Sequence, residues 1–234
     1  EAVEMVEWMR GHRRDRIIGL GIDYRETDRP PEMFWKAYRA AKDGGTVAVP
    51  DLRWEAMLPV LRKEKPVLVS ANDLESIEDA LDFAARHDLR MVLMGGLEAW
   101  RIAALLKARE VPVIVGGTHV LPLRRSDPVE AAYANPAKLR AAGVRFAISG
   151  PGDSFAVANE RNLPYHAATA VAHGLAADEA LKAITLYPAQ ILGVADRLGS
   201  LEAGKDATLF VSDGDPLENS TAIEQAWIAG RPVD

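Results

Sequence analysis

The sequence predicts an α/β protein in which parallel strands alternate with helices, followed by a short C-terminal β segment. Between residues 66 and 148, four apolar runs without alternation are separated by amphipathic helical segments. Such runs are typical of parallel strands that are covered by helices on both faces. Each strand-plus-helix unit takes about 20–25 residues, which favours a (β/α)8 TIM-type barrel over an open sheet.

The spacing of apolar residues and the position of glycines and prolines place the individual elements. Helices are predicted at 2–9, 32–42, 52–63, 76–87, 98–108, 128–142, 163–173 and 178–186, and strands at 17–22, 66–69, 89–94, 111–115, 144–148, 207–211 and 223–229. Asn135 and Pro136 are expected to interrupt the helix at 128–142, and Pro188 to mark a break or a restart of the last helical run. Gly230, Arg231 and Pro232 are expected to form a turn.

The number of strand–helix units bears on the completeness of the barrel. Only five or six units can be recognised, whereas a closed barrel needs eight. We therefore expect the chain to be the C-terminal part of a longer protein, with the four units from residue 66 to 148 as barrel strands five to eight. The absence of an initiator Met before Glu1, and a start that looks like mid-helix, agree with this expectation.

The composition narrows the choice of partners. The 234 residues carry a net charge of −6 without a basic stripe, so nucleic acid is not an expected partner. No apolar run approaches the roughly 18–20 residues that a membrane span needs, so no membrane partner is expected either. Cysteine is absent, which excludes thiolate ligands and leaves the compartment, cytoplasmic or exported, open.

Prolines and glycines recur at fixed offsets in the last fifty residues. The run T-x-x-P-A-x-x-L-G begins at Thr185, and the run G-S-L-E-x-G-K-D-A begins at Gly199. Together they closely resemble the C-terminus of the metal-dependent amidohydrolases, in particular the imidazolonepropionase- and prolidase-like branch. The resemblance implies a partial barrel over residues 1–193 and, over residues 194–234, strands that belong to a small β-sandwich.

The resemblance also implies a metal-dependent hydrolysis of C–N bonds. In the relatives a His-x-His pair follows strand one, and a carboxylate or a carbamylated Lys follows strand four. A single His follows strand five, another follows strand six, and an Asp follows strand eight. One or two divalent ions held there lower the pKa of a bound water. Here Ser70 and Gly95 stand where the relatives have the two single His residues. We therefore expect a divalent ion, zinc, in the intact parent protein, and no ion held by this chain alone.

Five residues are the candidate site residues. Asp153 has the spacing from the Arg161–Tyr165 region that the family aspartate has, and it is expected to be catalytic and a candidate metal ligand. A solvated turn aspartate is the alternative. Ser70, His119, Asn162 and Tyr165 are candidate substrate contacts, because they follow predicted strands or begin the helix beside the last loop. Surface exposure is the alternative for His119, and packing or capping for Asn162 and Tyr165.

Three other polar residues are given structural roles. His166 and His173 are expected to be partly buried or surface residues rather than ligands. Glu98 is expected to be a first-turn carboxylate that the dipole of its own helix stabilises.

Two functional hypotheses remain open on the sequence alone. In the first, the parent is an amidohydrolase that acts on a small-molecule substrate. In the second, loss of two imidazoles has left a catalytically inactive amidohydrolase-fold protein with a binding or assembly role. In both cases open sheet edges lead us to expect the chain in association with the remainder of its own polypeptide or with another copy, as an oligomer.

Overall fold

The computed structural model describes residues 52–150 and 156–233. The chain divides into two compact units, Glu1–Arg62 and Lys63–Asp234. The described part of the first unit is helix α1, Leu52–Leu61, in agreement with the helix predicted at 52–63. The elements predicted at 2–9, 17–22 and 32–42 lie outside the described residues. The predicted division between residues 193 and 194 stays a prediction.

A four-stranded parallel sheet forms the centre of the second unit. Its strands are β1 (Val67–Ala71), β2 (Met91–Gly95), β3 (Val113–Gly116) and β4 (Phe146–Ser149), in the order β1-β2-β3-β4. All three neighbouring pairs are parallel. The four strands predicted between residues 66 and 148 are therefore confirmed, with each bound shifted by no more than two residues. Strand order follows chain order, as in consecutive units of a (β/α) barrel.

The two faces of the sheet have different neighbours. On one face Leu93, Val113 and Phe146 join the main core, which also contains the buried residues of the flanking helices. On the other face Val92 and Ala147 form a small separate cluster with Ile191. Burial of both faces in the middle strands explains why these strands have no alternation of apolar and polar residues.

Helices follow the strands, and buried residues of all the α-helices but the last, which contributes Ile191 to the second cluster, join the main core. They are α2 (Leu74–Arg86), a 3-10 turn (Ala99–Ile102) that continues as α3 (Ala103–Ala108), α4 (Ala131–Ala141), a second 3-10 segment (Ala156–Asn162), α5 (Leu163–Ala172), α6 (Ala177–Ile184) and α7 (Leu186–Leu192). Within the described part of the chain, no helix is both long enough and apolar enough to cross a membrane.

One predicted helix break is wrong. Asn135 and Pro136 lie inside a continuous α4, and the buried Asn135 donates from Nδ2 to the carbonyl oxygen of Gly96 at 2.9 Å. The last helical run breaks at Thr185, which has φ −129° and ψ −79°, and restarts as α7, so Pro188 marks the restart rather than the break. Pro188 falls in the first turn of α7, where its missing N–H has no helical acceptor to lose.

The C-terminal segment forms a separate three-stranded antiparallel sheet. Its strands are β5 (Leu209–Ser212), β6 (Ile223–Ile228) and β7 (Arg231–Val233), in the order β5-β6-β7. Ala229 and Gly230 both have positive φ and make the two-residue hairpin turn. The turn predicted at residues 230–232 is therefore wrong in part, because Arg231 and Pro232 already pair with β6. A second layer that would make this sheet a β-sandwich stays a prediction.

Candidate active site

The carboxyl ends of the four parallel strands lie at one edge of the sheet. The register places Ala71 at the end of β1 opposite Gly95 at the end of β2. It also places Gly116 at the end of β3 opposite Ser149 at the end of β4. Ligands of α/β folds bind at this edge, because the loops after successive strands converge there. This edge, called the strand-end edge below, is the candidate active site.

Backbone replaces side chains at the ends of β2 and β3. Gly95 has a φ of +95°, in the left-handed region that favours glycine. A Cβ on Gly95 would lie 3.1 Å from the carbonyl oxygen of Ala71 and well under 3.0 Å from Oδ1 of Asn72. A Cβ on Gly116 would lie 3.2 Å from Cα of Gly95. The Asn72 carboxamide thus fills the space in front of β2 that a side chain at position 95 would need.

The donors at the strand-end edge do not fit a metal ion. Among residues 52–150 and 156–233, no group of three or more His, Cys, Asp or Glu side chains is placed to hold one. Gly95 stands where the resemblance puts an imidazole, and its φ of +95° is one that residues with side chains rarely adopt. The hydroxyl of Ser70 is a weak substitute for a second imidazole. The ends of β1 and β2 therefore supply no imidazole to an ion.

A buried carboxylate, Glu98, joins three strand-to-helix loops at this edge. Its Oε2 accepts a hydrogen bond at 2.8 Å from the N–H of Leu74, the first residue of α2. Arg124, in the loop after β3, donates from Nε at 2.7 Å and from Nη2 at 3.1 Å. Arg101 donates from Nε at 3.2 Å and also forms an ion pair with Asp127. The loops after β1, β2 and β3 are thereby held together.

The same contacts keep Glu98 ionised. Burial alone would raise the pKa of Glu98, but hydrogen bonds from Arg124 and Leu74 and the charges of Arg124 and Arg101 lower it below its ordinary value of 4.5. The expected role of Glu98 in the first turn of its own helix needs correction. It precedes that helix as the N-cap without a side-chain capping bond, and its carboxylate instead binds the amino end of α2.

Two histidines stack where the loop after β3 meets α5. The ring centroids of His119 and His166 are 4.2 Å apart, with the planes inclined by 35°. The N–H of Thr118 donates to Nδ1 of His166 at 3.1 Å, and Oγ1 of Thr118 donates to the His166 carbonyl oxygen at 3.0 Å. Nε2 of His119 lies 2.7 Å from Oγ1 of Thr169. These contacts attach the loop to α5.

His166 is a neutral group in this arrangement. It is 6% exposed, and burial lowers its pKa, with a further decrease from the charge of the neighbouring His119. Because Nδ1 accepts the N–H of Thr118, the neutral ring carries its proton on Nε2. His173 lies at the other end of the same helix and stacks on Tyr133, with 5.0 Å between the centroids.

Three of the predicted substrate contacts lie in the loop after β3 and at the start of α5. Nε2 of His119 contacts Thr169, whose hydroxyl donates to the main-chain carbonyl oxygen of Tyr165 at 2.9 Å. Asn162 is the N-cap of α5, one turn before Tyr165, and makes no side-chain capping bond. Ser70 lies apart from them on β1, the edge strand, opposite Met94.

Of the acidic residues that follow β4, one lies outside the described residues and one lies within them. Asp153, the predicted catalytic residue, lies outside the described residues. Glu160 follows it in the 3-10 segment, and its carboxylate oxygens would be 3.2 and 3.3 Å from a Cβ on Gly150. The end of β4 therefore has a carboxylate beside it that sequence reasoning did not single out, because a glutamate before a helix is ordinarily a solvated residue.

Sequence reasoning missed the contacts between residues that are distant in the chain. Glu98 and Arg124 are 26 residues apart, and Thr118 and His166 are 48 apart, so no local pattern links them. Asn72 gave a usable signal, since a carboxamide directly after an apolar strand falls at the strand-end edge.

A cavity of about 630 Å³ lies at the opposite edge of the sheet, where the strands begin. Arg90, Pro112 and Arg145 line it, together with Ile191 of α7. Its size would suit a small ligand, but it is remote from the strand ends and from the residues described above. We place the candidate site at the strand-end edge because the loops and the titratable groups converge there.

The comparisons with known proteins identify the family of the chain. A family model described as "Amidohydrolase family" matches residues 101–233, more than half of the chain. The chain belongs to the amidohydrolase family. An imidazolonepropionase of Verminephrobacter eiseniae (strain EF01-2) is 31% identical over 172 residues, which are 72% of this chain and 35% of the relative. The predicted membership of the imidazolonepropionase-like branch is thus confirmed.

Two solved structures extend the comparison to the fold. An amidohydrolase from Thermotoga maritima MSB8 has a TM-score of 0.73 and 27% identity, with 98% of this chain and 55% of that chain covered. A zinc-bound adenosine deaminase from Xanthomonas campestris has a TM-score of 0.53 and 22% identity, with 97% of this chain and 55% of that chain covered, and shows the fold alone. The α/β architecture agrees with part of the barrel of the amidohydrolase fold. The chain spans about a third to a half of the length of these proteins.

Proposed function

We propose that the protein is a hydrolase that cleaves the C–N bond of an amide or a cyclic amide in a small molecule. One observation carries the proposal: a chain of the amidohydrolase family forms four consecutive parallel (β/α) units, and the loops after their strands meet at one edge. In this fold the chemistry takes place at that edge.

The barrel and the sandwich are part of the same proposal. The four parallel strands are strands five to eight of a (β/α)8 barrel over residues 1–193, and β5 to β7 belong to a small β-sandwich over residues 194–234. β1 and β4 each have one side without a partner strand among the described residues. Such edges pair with other strands, so we propose that the remainder of the polypeptide, or another copy of the chain, covers them.

The site residues have distinct roles in this proposal. Asp153, in the loop after β4, takes the proton of the attacking water or serves as a ligand. His119, Asn162 and Tyr165 bind the substrate from the side of α5, which is supported by their grouping around Thr169 and the helix start. Ser70 contributes from β1 at the far side of the edge.

A divalent metal, zinc, is the cofactor that the family relationship implies. It would supply an activated water. The ends of β1 and β2 do not provide imidazoles to it, and Asp153, which lies outside the described residues, is the ligand proposed from this chain. The described residues have binding and positioning roles in this proposal.

A second candidate function is supported by the end of β2. The φ of +95° at Gly95 is unfavourable for a coordinating side chain at this position, and the Asn72 carboxamide occupies the space in front of it. A protein that binds the same class of small amides without hydrolysing them would have no need for that ligand.

One experiment separates the two candidates. The natural full-length protein is incubated with hydantoin, N-acetyl amino acids and Xaa-Pro dipeptides, products are followed by mass spectrometry, and zinc is measured by elemental analysis. Hydrolysis that EDTA abolishes, and that Asp153→Asn lowers by about 100-fold or more, supports the hydrolase. Asp196→Asn, at an exposed position, is the control. Saturable binding of an amide without turnover supports the binding protein, and neither turnover nor binding refutes both.

A further inference from the structure

The hydrogen bonds of Thr169 determine which nitrogen of His119 carries its proton. Oγ1 of Thr169 is 2.9 Å from the carbonyl oxygen of Tyr165, one helical turn earlier, and donates its only proton there. Nε2 of His119 lies 2.7 Å from the same Oγ1. Since the hydroxyl proton is already used, Nε2 of His119 must be the donor of this second bond. The neutral His119 ring is therefore protonated on Nε2, and its lone pair is on Nδ1.

The ring of His166 fixes the plane of the His119 ring. His166 is held through Nδ1 by the N–H of Thr118 at 3.1 Å, and it is buried and neutral. The His119 ring lies against it, with 4.2 Å between the centroids. A stacked neighbour on one face and a hydrogen bond at Nε2 leave His119 little freedom to turn.

His119 lies in the loop after β3, at the strand-end edge. His119 follows the last residue of β3, Gly116, by three positions, and its side chain is exposed. Among the described residues, Nε2 is the nitrogen of this ring that has a hydrogen-bond partner. Nδ1 is thus a fixed hydrogen-bond acceptor, in a site whose neighbouring strand ends, at Gly95 and Gly116, present backbone rather than side chains.

We propose that Nδ1 of His119 accepts a hydrogen bond from an N–H of the substrate, and so selects secondary and cyclic amides over amides whose nitrogen is fully substituted. Thr169 and His166 are the positioning residues of this acceptor. A lactam, a hydantoin or an imidazolone ring has such an N–H, whereas a prolyl amide has none. The inference rests on the proposed site and names the substrate class that the site takes.

The first test reads the tautomer directly. In protein labelled with ¹⁵N-histidine, long-range ¹H–¹⁵N correlation spectra near pH 8 distinguish Nε2–H from Nδ1–H rings, and the variant His119→Gln assigns the signal. We expect the Nε2–H form at His119. Thr169→Ser keeps the hydroxyl and should keep this form, whereas Thr169→Val removes the acceptor and should increase the Nδ1–H form. A predominant Nδ1–H form in the unsubstituted protein overturns the inference without requiring any variant to fold.

The second test uses a matched pair of ligands. Hydantoin should shift the Nδ1 resonance of His119 and bind, and 1,3-dimethylhydantoin, which lacks both N–H groups, should bind about 10-fold more weakly because one hydrogen bond is lost. Equal affinity for the two compounds, or no shift at Nδ1 with bound hydantoin, overturns the inference. Failure of the proposed hydrolysis is distinguishable, since hydantoin would then bind with the same selectivity and remain intact.

Discussion

The conformation of Gly95 leads to a quantitative prediction about the end of β2. Substitution of Gly95 by Ala adds a Cβ in the left-handed region, which costs about 1–3 kcal/mol in backbone strain. The added Cβ also lies well under 3.0 Å from Oδ1 of Asn72 and 3.1 Å from the carbonyl oxygen of Ala71. Overpacking of this kind costs about 1–3 kcal/mol more. Gly95→Ala should therefore lower the free energy of unfolding by about 2–6 kcal/mol.

A second glycine of the same chain separates the two contributions. Gly204 also has a φ of +95°, but a Cβ there would meet nothing within 4 Å. Gly204→Ala therefore measures the strain without the clash. Because about 1 kcal/mol shifts the melting temperature of a chain of this size by about 2–4 °C, Gly95→Ala should melt about 2–12 °C below Gly204→Ala in differential scanning calorimetry.

A double-mutant cycle tests whether Asn72 is the residue that the Cβ added at position 95 contacts. Asn72→Ala alone changes an exposed residue and should alter stability by no more than about 0.5 kcal/mol. In the background of Asn72→Ala, the cost of Gly95→Ala should fall by the clash, about 1–3 kcal/mol. Equal melting temperatures for Gly95→Ala and Gly204→Ala would refute the reasoning, and so would Gly95→His if it kept the original melting temperature and bound one zinc ion per chain.

Three further predictions concern the network residues. Glu98→Gln should lower the free energy of unfolding by about 1–3 kcal/mol in urea titrations, because charge-assisted bonds to Arg124 and Arg101 are lost; the exposed Glu78→Gln is the control, and equal losses would contradict the role of the network. The pKa values of Glu98 and Glu179 in the folded chain are below their ordinary 4.5, so the unfolded chain binds more protons. The stabilisation from both groups is therefore complete above pH 4.5 and is lost as the pH falls through the lowered pKa values. Glu98→Gln should reduce this dependence of the free energy of unfolding on pH, and an unchanged dependence would contradict the lowered pKa. Tyr187→Phe removes the hydroxyl that donates to Glu179 at 2.7 Å and should destabilise by about 1–3 kcal/mol without affecting hydantoin binding, because Tyr187 lies on α7, away from the strand-end edge; an altered affinity would contradict that separation.

The fold could be predicted from the sequence to the extent that each element is encoded locally. The strands from Val67 to Ser149 are short apolar runs, and their parallel arrangement follows from the helices between them. A break and a restart of the last helical run remained alternatives at Pro188, because a proline in the first turn of a helix and a proline in its interior look alike until the start of the helix is known. Asn135 was predicted to break its helix. The acceptor that satisfies its buried side chain, the carbonyl oxygen of Gly96, is 39 residues away in the chain and could not be found from the local sequence.

The candidate site was only partly predictable for a related reason. Its location followed from the rule that parallel strands end at one edge, and His119 was found because it comes directly after a strand. The tautomer of His119 depends on Thr169, which is 50 residues further along the chain, and no spacing in the sequence connects them. The glycine at position 95 was visible in the sequence, but its positive φ and the nearby Asn72 carboxamide were not.

The arrangement of this site has a consequence for its chemistry. The loops after β1, β2 and β3 are held together by Glu98, and the loop after β3 is held to α5 by the bonds between Thr118 and His166. At the centre of the edge, Gly95 and Gly116 present backbone in close contact. His119 and Glu160 lie towards β4 and α5. The proposed hydrogen bond from a substrate N–H to His119 would place that nitrogen on the same side, which is why the choice between N–H and N-methyl compounds tests the geometry as well as the specificity.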